Sequence, residues 1–279
     1  MAQSEEVAGA LRALGHEVAL VPLVTSGDRR SAGIAEGSTK GLFVRELEEA
    51  LLDGRADLAV HSAKDLPTEL PEPLAILAVP GRADPRDVLV GPPGGLAVLP
   101  RGARVATGSP RRRAQLLWKR PDLRVQDIRG NVDTRLRKLA QGQADALVLA
   151  AAGLARLGLA PAGAEPLAVD LCTPAPGQGC LAIEGRRDRP ELEPLADALD
   201  DPASHRCLLA ERAFLRGLGG GCLAPVGALC EPYGDRIRLR AVLAAPDLSR
   251  LERTVLEGMA DEAEALGAAA AGALGAAAR

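Results

Sequence analysis

The stretch "GLFVRELEEALLDGRADLAVHSAKDLP", residues 41–67, decides the fold class. Its first part, 41–54, has apolar residues at helical spacing and closes on a glycine, which predicts an amphipathic helix. The segment 56–62, "ADLAVHS", follows at once and has the length and apolar character of a buried strand. A helix that leads directly into a strand is part of a βαβ alternation, so the stretch predicts an α/β protein with a mainly parallel sheet.

The same alternation continues on both sides of this stretch. On the N-terminal side, residues 5–14 have helical spacing, and "HEVALVPLV" (16–24) predicts a strand. On the C-terminal side, "LAQGQADALVLAAAGL" (139–154) echoes "LLDGRADLAVHSAKDL" (51–66), since each has a helix end, a glycine, Ala-Asp and an apolar strand. Two interpretations remain open: chance similarity between two βαβ units, or two lobes of similar build that face each other across a cleft.

The pattern changes after Asp201. "DPASHRCLLAERAFLRGL" (201–218) predicts a helix with a polar cap and a proline near its start. "RIRLRAVLAA" (236–245) alternates as a half-exposed strand, and an alanine-rich helix follows it. These elements predict a small separate α+β domain. Proline- and glycine-rich stretches at 80–95 and 160–179 predict the crossovers between the two lobes.

Composition limits the classes of function. The 279-residue chain is 47% hydrophobic and 25% charged, as in soluble globular proteins of two or three domains, and its net charge of −3 argues against a general nucleic-acid binder. Five cysteines without a CxxC pair predict neither a zinc site nor a disulfide framework, which favours a reducing cytoplasm. The acidic N-terminus lacks the apolar core of a signal peptide, and the alanine-rich C-terminus is too weakly apolar to span a membrane.

Arginines recur where predicted strands end and helices begin. They lie in "TGSPRRRAQLL" (107–117), "DIRGNVDTRLRKL" (127–139) and "AAAGLARLGL" (150–159). Forked guanidinium groups beside the free N–H groups of a helix start suit an anion, so these stretches predict a pocket for a carboxylate- or phosphate-rich ligand. The alternative is a set of solvated helix faces with ordinary ion pairs. The candidate binding residues are Ser109, Arg111, Arg112, Arg129, Arg135 and Arg156.

Two further stretches carry reactive side chains. "HSAKDLP" (61–67) ends a strand with an acid beside a cation, which suits general acid–base or electrostatic work, although Lys–Asp neighbours are common in loops. "GLGGGCLAPVG" (217–227) sets Cys222 behind three glycines, which permit positive φ and close approach of a bulky group. A small apolar residue in a turn and a presented thiol both remain open for this cysteine.

Seven stretches together resemble the porphobilinogen deaminase family, also called hydroxymethylbilane synthases. They run in the family's order and read "KGLFVRELEEALL", "ADLAVHSAKDLP", "GSPRRRAQL", "IRGNVDTRL", "AAAGLARLGL", "APGQGCLAIE" and "AERAFLRGLGGGCLAPVG". The resemblance implies an α/β fold of two lobes like those of a periplasmic binding protein, followed by a small C-terminal α+β domain. The implied boundaries are 1–80 with 180–198 for the first domain, 84–174 for the second and 201–279 for the third.

The resemblance also implies an activity. The family is a transferase of porphyrin, haem and other tetrapyrrole biosynthesis that joins four porphobilinogen units head to tail and releases linear hydroxymethylbilane by hydrolysis. Each unit loses ammonia to give an electrophilic azafulvene, which the free α-carbon of the terminal pyrrole attacks. The product grows on a dipyrromethane cofactor held by a thioether bond, which the resemblance places on Cys222.

Matched residue by residue, the resemblance implies that Asp65 is catalytic, stabilising pyrrole nitrogens and developing cations and assisting proton transfer. Each porphobilinogen carries two carboxylates, so a growing chain needs many fixed cations, and arginine suits this role. No metal ion is expected. The implied binding residues are, for the cofactor, Lys64, Ser109, Arg111, Arg112, Arg129 and Arg135 with Cys222, and, for the substrate, Arg156, Phe43 and Gln178.

The N-terminus departs from the family pattern. The family opens with a strand that carries R-x-S-x-L-A-L-x-Q, and Met1-Ala2-Gln3 matches only the end of this motif. The first strand of the first lobe and two cofactor contacts are therefore expected to be absent. A cytoplasmic monomer with porphobilinogen as its partner, and with no nucleic acid or membrane, is expected.

Two other functions are alternatives to the transferase. A non-catalytic two-lobed carboxylate-binding protein would use the arginines but leave Cys222 and Asp65 without a role. A hydrolase with a cysteine nucleophile would need a histidine base and an asparagine, and the sequence spacing assembles no such set.

Overall fold

A computed structural model describes residues 2–23, 40–219 and 225–277 of the chain. Helices and strands alternate through the first two thirds, as the sequence pattern predicts. Within the described residues the helices are α1 (Ala2–Ala13), α2 (Lys40–Leu52), α3 (Gly95–Val98), α4 (Pro110–Lys119), α5 (Val132–Ala140), α6 (Ala151–Arg156), α7 (Glu193–Leu199), α8 (Pro202–Gly217) and α9 (Ala263–Ala277).

The described strands form three sheets. Their orders are β1-β8-β2, β5-β4-β6-β3-β7 and β11-β10-β9. The strands are β1 (Ala59–Ser62), β2 (Leu74–Ala78), β3 (Asp87–Val90), β4 (Arg104–Ala106), β5 (Arg124–Gln126), β6 (Ala146–Ala150), β7 (Ala164–Pro166), β8 (Leu181–Arg186), β9 (Val226–Tyr233), β10 (Arg236–Ala244) and β11 (Leu251–Met259).

The first lobe is built on the sheet β1-β8-β2, against which α1, α2 and α7 pack. Both β1 and β2 pair with β8 in the antiparallel direction, with His61 opposite Ala182. The prediction of a mainly parallel sheet is therefore wrong for this lobe. The reason is that β8 returns from the second lobe and enters between two earlier strands, a long-range pairing that local periodicity does not report.

Residues 16–23 form no strand, so the prediction of a strand at 16–24 is wrong over its described part. Arg12 Nη2 donates to the Val18 carbonyl at 3.0 Å, and Val18 packs against the core of the first lobe. A strand needs a neighbouring strand to satisfy its backbone N–H and C=O groups. Among the described strands, β1 is the end of its sheet and pairs only with β8, and residues 16–23 do not add to it.

The second lobe has a mixed sheet. Here β4 runs parallel to β5 and β6, whereas β3 is antiparallel to β6 and β7. The carboxyl ends of β4, β5 and β6 therefore lie at one edge, where α4, α5 and α6 follow them. Buried side chains such as Leu89 and Val148 on one face, and Leu147 and Leu149 on the other, form the core clusters that hold these helices.

The third domain is a three-stranded antiparallel sheet covered by α8 and α9. Asp201 caps α8 by accepting a hydrogen bond from the Ser204 N–H at 2.7 Å. Phe214 and Leu239 are fully buried between helix and sheet. The predicted helix after Asp201, the strand from Arg236 and the alanine-rich C-terminal helix are confirmed.

Glu211 of α8 joins the third domain to both segments that connect the lobes. Its fully buried carboxylate accepts from Arg82 Nη1 at 2.6 Å and Nη2 at 3.2 Å, and Arg82 lies between β2 and β3. It also accepts from the N–H of Gly177, between β7 and β8, at 2.6 Å, and from the Cys230 N–H at 2.7 Å. One side chain thus connects two crossovers and the third domain.

Candidate active site

A cavity of about 480 Å³ opens between the two lobes. The first lobe contributes the end of β1 and the turn after it, and the second contributes the start of α6 and the segment that returns to β8. The cavity brings together four predicted site residues that are distant in the sequence: Lys64, Asp65, Arg156 and Gln178.

The cavity lies where the two similar stretches of sequence end. In the first stretch α2 is followed by β1 and a 3₁₀ turn, Ala63–Asp65, and in the second α5 is followed by β6 and α6. Each strand delivers the residues after its carboxyl end to the cavity, where α/β folds gather ligands. This geometry favours two lobes of similar build that face each other over chance similarity.

Lys64 is a partly buried cation in the cavity wall. Burial lowers its pKa to about 8, the guanidinium groups of Arg112 and Arg111 act in the same direction, and the carboxylates of Asp65 and Asp87 oppose them. Lys64 is therefore charged at neutral pH but loses its proton in the mildly alkaline range. An acid and a titratable cation thus share one wall of the cavity, an arrangement common at catalytic sites.

Arg156 and Gln178 line the cavity, and polar groups of both side chains form hydrogen bonds within the protein. Arg156 Nε donates to Glu6 Oε2 at 3.1 Å, and Nη2 donates to the Gly179 carbonyl at 3.0 Å. Glu6 is half exposed, so a carboxylate ligand can compete with it for the guanidinium. Gln178 Nε2 donates to Asp87 Oδ1 at 2.8 Å, and this bond fixes the wall of the cavity.

Arg111 and Arg112 lie inside the second lobe and share one fully buried carboxylate, Asp87. Arg111 Nη1 donates to Asp87 Oδ2 at 2.7 Å, and Arg112 donates to Oδ1 from Nε at 3.0 Å and from Nη2 at 2.8 Å. Burial alone would raise the pKa of Asp87, but the two guanidinium groups hold it well below its ordinary range. The structure gives both arginines an internal partner, and their contact with cofactor carboxylates stays a prediction.

A second cavity, of about 320 Å³, lies at the same edge of the second-lobe sheet. Ser109 caps α4 there, its Oγ accepting from the Arg112 N–H at 3.5 Å. Arg135 of α5 donates from Nε to the Gly130 carbonyl at 2.6 Å. Arg129 is exposed and lines this cavity together with Gly108, Pro110, Arg113, Asp127 and Ile128.

Two predicted site residues lie outside the described side chains. Cys222 falls in 220–224, and Phe43 belongs to α2 but its side chain is not described. The other four cysteines are buried free thiols, which agrees with the prediction that they pack. Burial raises the pKa of the Cys172 and Cys180 thiols to about 12, so both are protonated and unreactive at neutral pH.

Sequence reasoning missed Asp87 and Glu211, which organise the surroundings of the cavity. Asp87 is 24 residues from Arg111, and Glu211 is 129 residues from Arg82, so no local pattern links either pair. An acid at the start of the apolar strand β3 does indicate a buried partner, because a buried carboxylate needs one. The sequence does not say which cation supplies it.

Comparison with known families decides what this site belongs to. The sequence model described as "Porphobilinogen deaminase, dipyromethane cofactor binding domain" matches residues 1–194, and "Porphobilinogen deaminase, C-terminal domain" matches 205–276. The chain belongs to the porphobilinogen deaminase family. The resemblance carried by the seven stretches is thereby confirmed.

Porphobilinogen deaminases from several bacteria align with most of the chain. That of Rubrobacter xylanophilus is 53% identical over 250 residues, which span 88% of this chain and 81% of the relative. That of Roseiflexus castenholzii is 49% identical over 278 residues, or 97% of this chain and 90% of the relative. That of Thermus thermophilus is 53% identical over 230 residues, or 82% and 76%.

The solved structures that match the chain are less similar to it in sequence than these relatives. YhfZ from Shigella flexneri is 20% identical, spans 76% of this chain and 89% of its own, and gives a TM-score of 0.35. The periplasmic aliphatic sulphonate binding protein SsuA from Escherichia coli is 19% identical, spans 61% and 56%, and gives a TM-score of 0.36. Membership of the porphobilinogen deaminase family therefore rests on the sequence comparisons.

As a porphobilinogen deaminase, the chain is a transferase of tetrapyrrole biosynthesis, a hydroxymethylbilane synthase with a dipyrromethane cofactor. The donor set of the cavity fits linked pyrroles with acidic side chains, since Lys64 and Arg156 match carboxylates and Asp65 matches pyrrole N–H groups. No helix in the described ranges is long and apolar enough to cross a membrane. Within the same ranges, His, Cys, Asp and Glu side chains nowhere gather in a group of three that could hold a metal.

Proposed function

We propose that the cavity between the lobes is where this hydroxymethylbilane synthase joins porphobilinogen units, with Asp65 as the catalytic residue. The observation that carries the proposal is that Asp65 and Lys64 of the first lobe and Arg156 of the second line one cavity. Porphobilinogen presents two carboxylates and a pyrrole N–H, which need fixed cations and an anion. A non-catalytic carboxylate-binding protein would need the cations but not Asp65.

The binding roles divide between the two cavities. Lys64 and Arg156 bind carboxylates of the unit that reacts, beside Gln178. Phe43 keeps its proposed substrate contact on the family resemblance alone. The second cavity, at the same sheet edge, offers positive charge to the carboxylates of the cofactor and the growing chain, and Arg111 and Arg112 add charge from behind. When bound, the dipyrromethane supplies the free α-carbon for the first unit, and the terminal pyrrole of the growing chain would supply it for each later unit. The proposed carboxylate ligands are Arg129, which lines the second cavity, and Ser109 and Arg135 at the same sheet edge.

Asp65 acts on the pyrrole nitrogens of the reacting unit. Departure of ammonia leaves positive charge on the ring, and a carboxylate fixed in a partly buried wall stabilises that charge as it develops. Formation of the new carbon–carbon bond then releases the α-carbon proton, whose transfer Asp65 assists. Lys64, next in the chain, keeps the local charge balanced when the substrate carboxylates enter.

Cys222 is proposed to hold the cofactor through a thioether bond. It lies in the sequence between α8 and β9 of the third domain, directly after the run Gly219-Gly220-Gly221. The other four cysteines are buried, with the raised thiol pKa of Cys172 and Cys180 opposing reaction there. Family membership supports the identity of the attached group.

The remaining expectations belong to this proposal. A cytoplasmic monomer that uses porphobilinogen, without nucleic acid, agrees with the net charge of −3 and with buried free thiols that suit a reducing compartment. The domain boundaries 1–80 with 180–198, 84–174 and 201–279 stand as proposed.

Replacement of Asp65 by asparagine tests the catalytic assignment. D65N keeps the size of the side chain but removes its charge, so the rate of porphobilinogen consumption should fall by about 10²–10⁴-fold while the unfolding midpoint stays near that of the wild type. The matched control is D53N, which changes an exposed acid in the connection between α2 and β1, before the strand that Asp65 follows. A D65N rate close to that of D53N would remove Asp65 from the catalytic role.

A further inference from the structure

His61 lines the cavity but has no part in the function proposed above. It lies in β1 one residue before Ser62, and its ring Nε2 is 2.8 Å from Oε2 of Glu184 on the neighbouring strand β8. Glu184 is fully buried and His61 is 6% exposed. We call this pair the His61–Glu184 dyad.

The dyad places a negative charge directly behind the cavity wall. Among the described residues neither carboxylate oxygen of Glu184, nor Nε2 of His61, has an aligned hydrogen bond, so the two groups meet through the 2.8 Å contact alone. Glu48 of α2 also lies near, and burial together with Glu184 raises its pKa. The buried Arg212 of α8 directs Nη2 to the Pro67 carbonyl at 2.8 Å instead of pairing with Glu184.

A carboxylate beside one ring nitrogen fixes the tautomer and the orientation of a histidine. Nε2 faces Glu184, and Nδ1 is the second ring nitrogen, which accepts a hydrogen bond when it carries no proton. Since His61 lines the cavity, its ring is within reach of a ligand bound there.

We propose that the His61–Glu184 dyad binds the primary ammonium group of the substrate, in an inference that rests on the proposed function. Porphobilinogen is a zwitterion, with two carboxylates and one aminomethyl group. Lys64 and Arg156 match its anionic end but repel the ammonium, which needs an acceptor backed by negative charge. His61 Nδ1 accepts from the ammonium, Glu184 supplies the charge through the ring, and the contact selects pyrroles that still carry their leaving group.

Two unreactive probes isolate this contact from turnover. Both carry the acetate and propionate arms on a benzene ring, from which an amine cannot be expelled, and one bears an aminomethyl group where the other bears a methyl group. Their dissociation constants are measured by titration calorimetry on the cofactor-loaded enzyme. The wild type should bind the aminomethyl probe about tenfold or more tightly than the methyl probe, as expected for a hydrogen bond to a charged group.

Matched variants assign the preference to Nδ1. H61Q places its amide near the position of Nε2 and loses the acceptor in the cavity, so its two dissociation constants should become equal. H61N places its amide near the position of Nδ1 and should retain a preference, whereas E184Q should reduce it. R156Q should raise the dissociation constants of both probes by a similar factor, because it removes a contact with a carboxylate that both probes carry.

The outcomes separate the two proposals. A wild type that binds neither probe and does not consume porphobilinogen contradicts the proposed function itself. A wild type that consumes porphobilinogen but binds both probes equally, or an H61Q variant that keeps the wild-type preference, overturns the assignment of the ammonium to the dyad. The methyl probe also reports folding, since a variant that still binds it has an intact cavity.

Discussion

Lys64 shows how one side chain acquires a property that its position in the sequence does not give. An exposed lysine stays charged far above neutral pH. In the cavity wall, burial and the neighbouring guanidinium groups lower the pKa of Lys64 to about 8, although Asp65 and Asp87 pull in the opposite direction. Substrate binding should therefore respond to pH in a range where most protein cations do not titrate.

At the residue scale, we expect the KM for porphobilinogen to rise with pH through about 8, because Lys64 is a cation below that value and neutral above it. K64R should flatten this rise, since arginine keeps its charge throughout the alkaline range. The control K119R alters an exposed lysine at the end of α4 and should keep the wild-type profile. Steady-state kinetics as a function of pH would contradict the assignment if K64R and K119R gave the same profile.

At the scale of elements, the ion pairs around Asp87 hold α4 against β3. The strand begins at Asp87, and Arg111 and Arg112 occupy the first turn of the helix, so a single carboxylate fixes where the helix sits. Breaking a buried pair leaves uncompensated charge in the interior, which destabilises more than removal of an exposed pair. Asp87 Oδ1 also accepts a hydrogen bond from Gln178 Nε2, and this bond holds Gln178 at the cavity wall.

We therefore expect D87N to lose about 3–5 kcal/mol of the free energy of unfolding, measured by urea denaturation. The control D84N breaks an exposed pair with Arg86 and should lose less than about 1 kcal/mol. The pKa of Asp87 is held below its ordinary value, so its contribution persists above about pH 4 and is lost as pH falls through the folded-state pKa. Equal losses in D87N and D84N would contradict this account.

Elements also show how far sequence reasoning reaches. The helix caps at Ser109 and Asp201 could be predicted from the sequence, because each side chain accepts a hydrogen bond from the N–H group only three residues further along the chain. The strand at 16–24 was predicted wrongly because its apolar alternation does not supply a pairing partner. Lys64 and Asp65 were indicated by an acid beside a cation at the end of a strand, and the family motif then gave them roles. Glu184, a buried acid on a returning strand, required the fold to place it beside His61.

At the scale of the whole molecule, the carboxylate of Glu211 lies where the two crossovers between the lobes meet the third domain. Its carboxylate binds Arg82 on one crossover, the backbone of Gly177 on the other, and the backbone of Cys230 in the third domain. Burial alone would lower the pKa of Arg82, but Glu211 raises it above its ordinary value, so the pair stays ionised. The ion pair is therefore the charged centre of a junction that hydrogen bonds such as Arg82 N–H to Ser204 Oγ and Ala228 N–H to the Pro174 carbonyl also hold.

E211Q should lower the free energy of unfolding by about 3–5 kcal/mol, because Arg82 is left buried without its counter-charge. Calorimetry should also show the third domain unfolding apart from the lobes. E264Q removes an exposed acid of α9 that pairs with Arg216 of α8, and its single transition should stay close to that of the wild type. An E211Q transition as high and as cooperative as that of E264Q would show that the junction is held by other contacts.

The central claim, that this chain builds hydroxymethylbilane on a primer held by Cys222, is tested most directly by mass spectrometry of the intact protein after incubation with porphobilinogen. The account predicts a mass gain of two porphobilinogen units less two molecules of ammonia, mapping to the peptide that contains Cys222 and absent from C222S. A preparation that consumes porphobilinogen while Cys222 stays unmodified would contradict the attachment. A preparation that neither gains this mass nor consumes porphobilinogen would contradict the function.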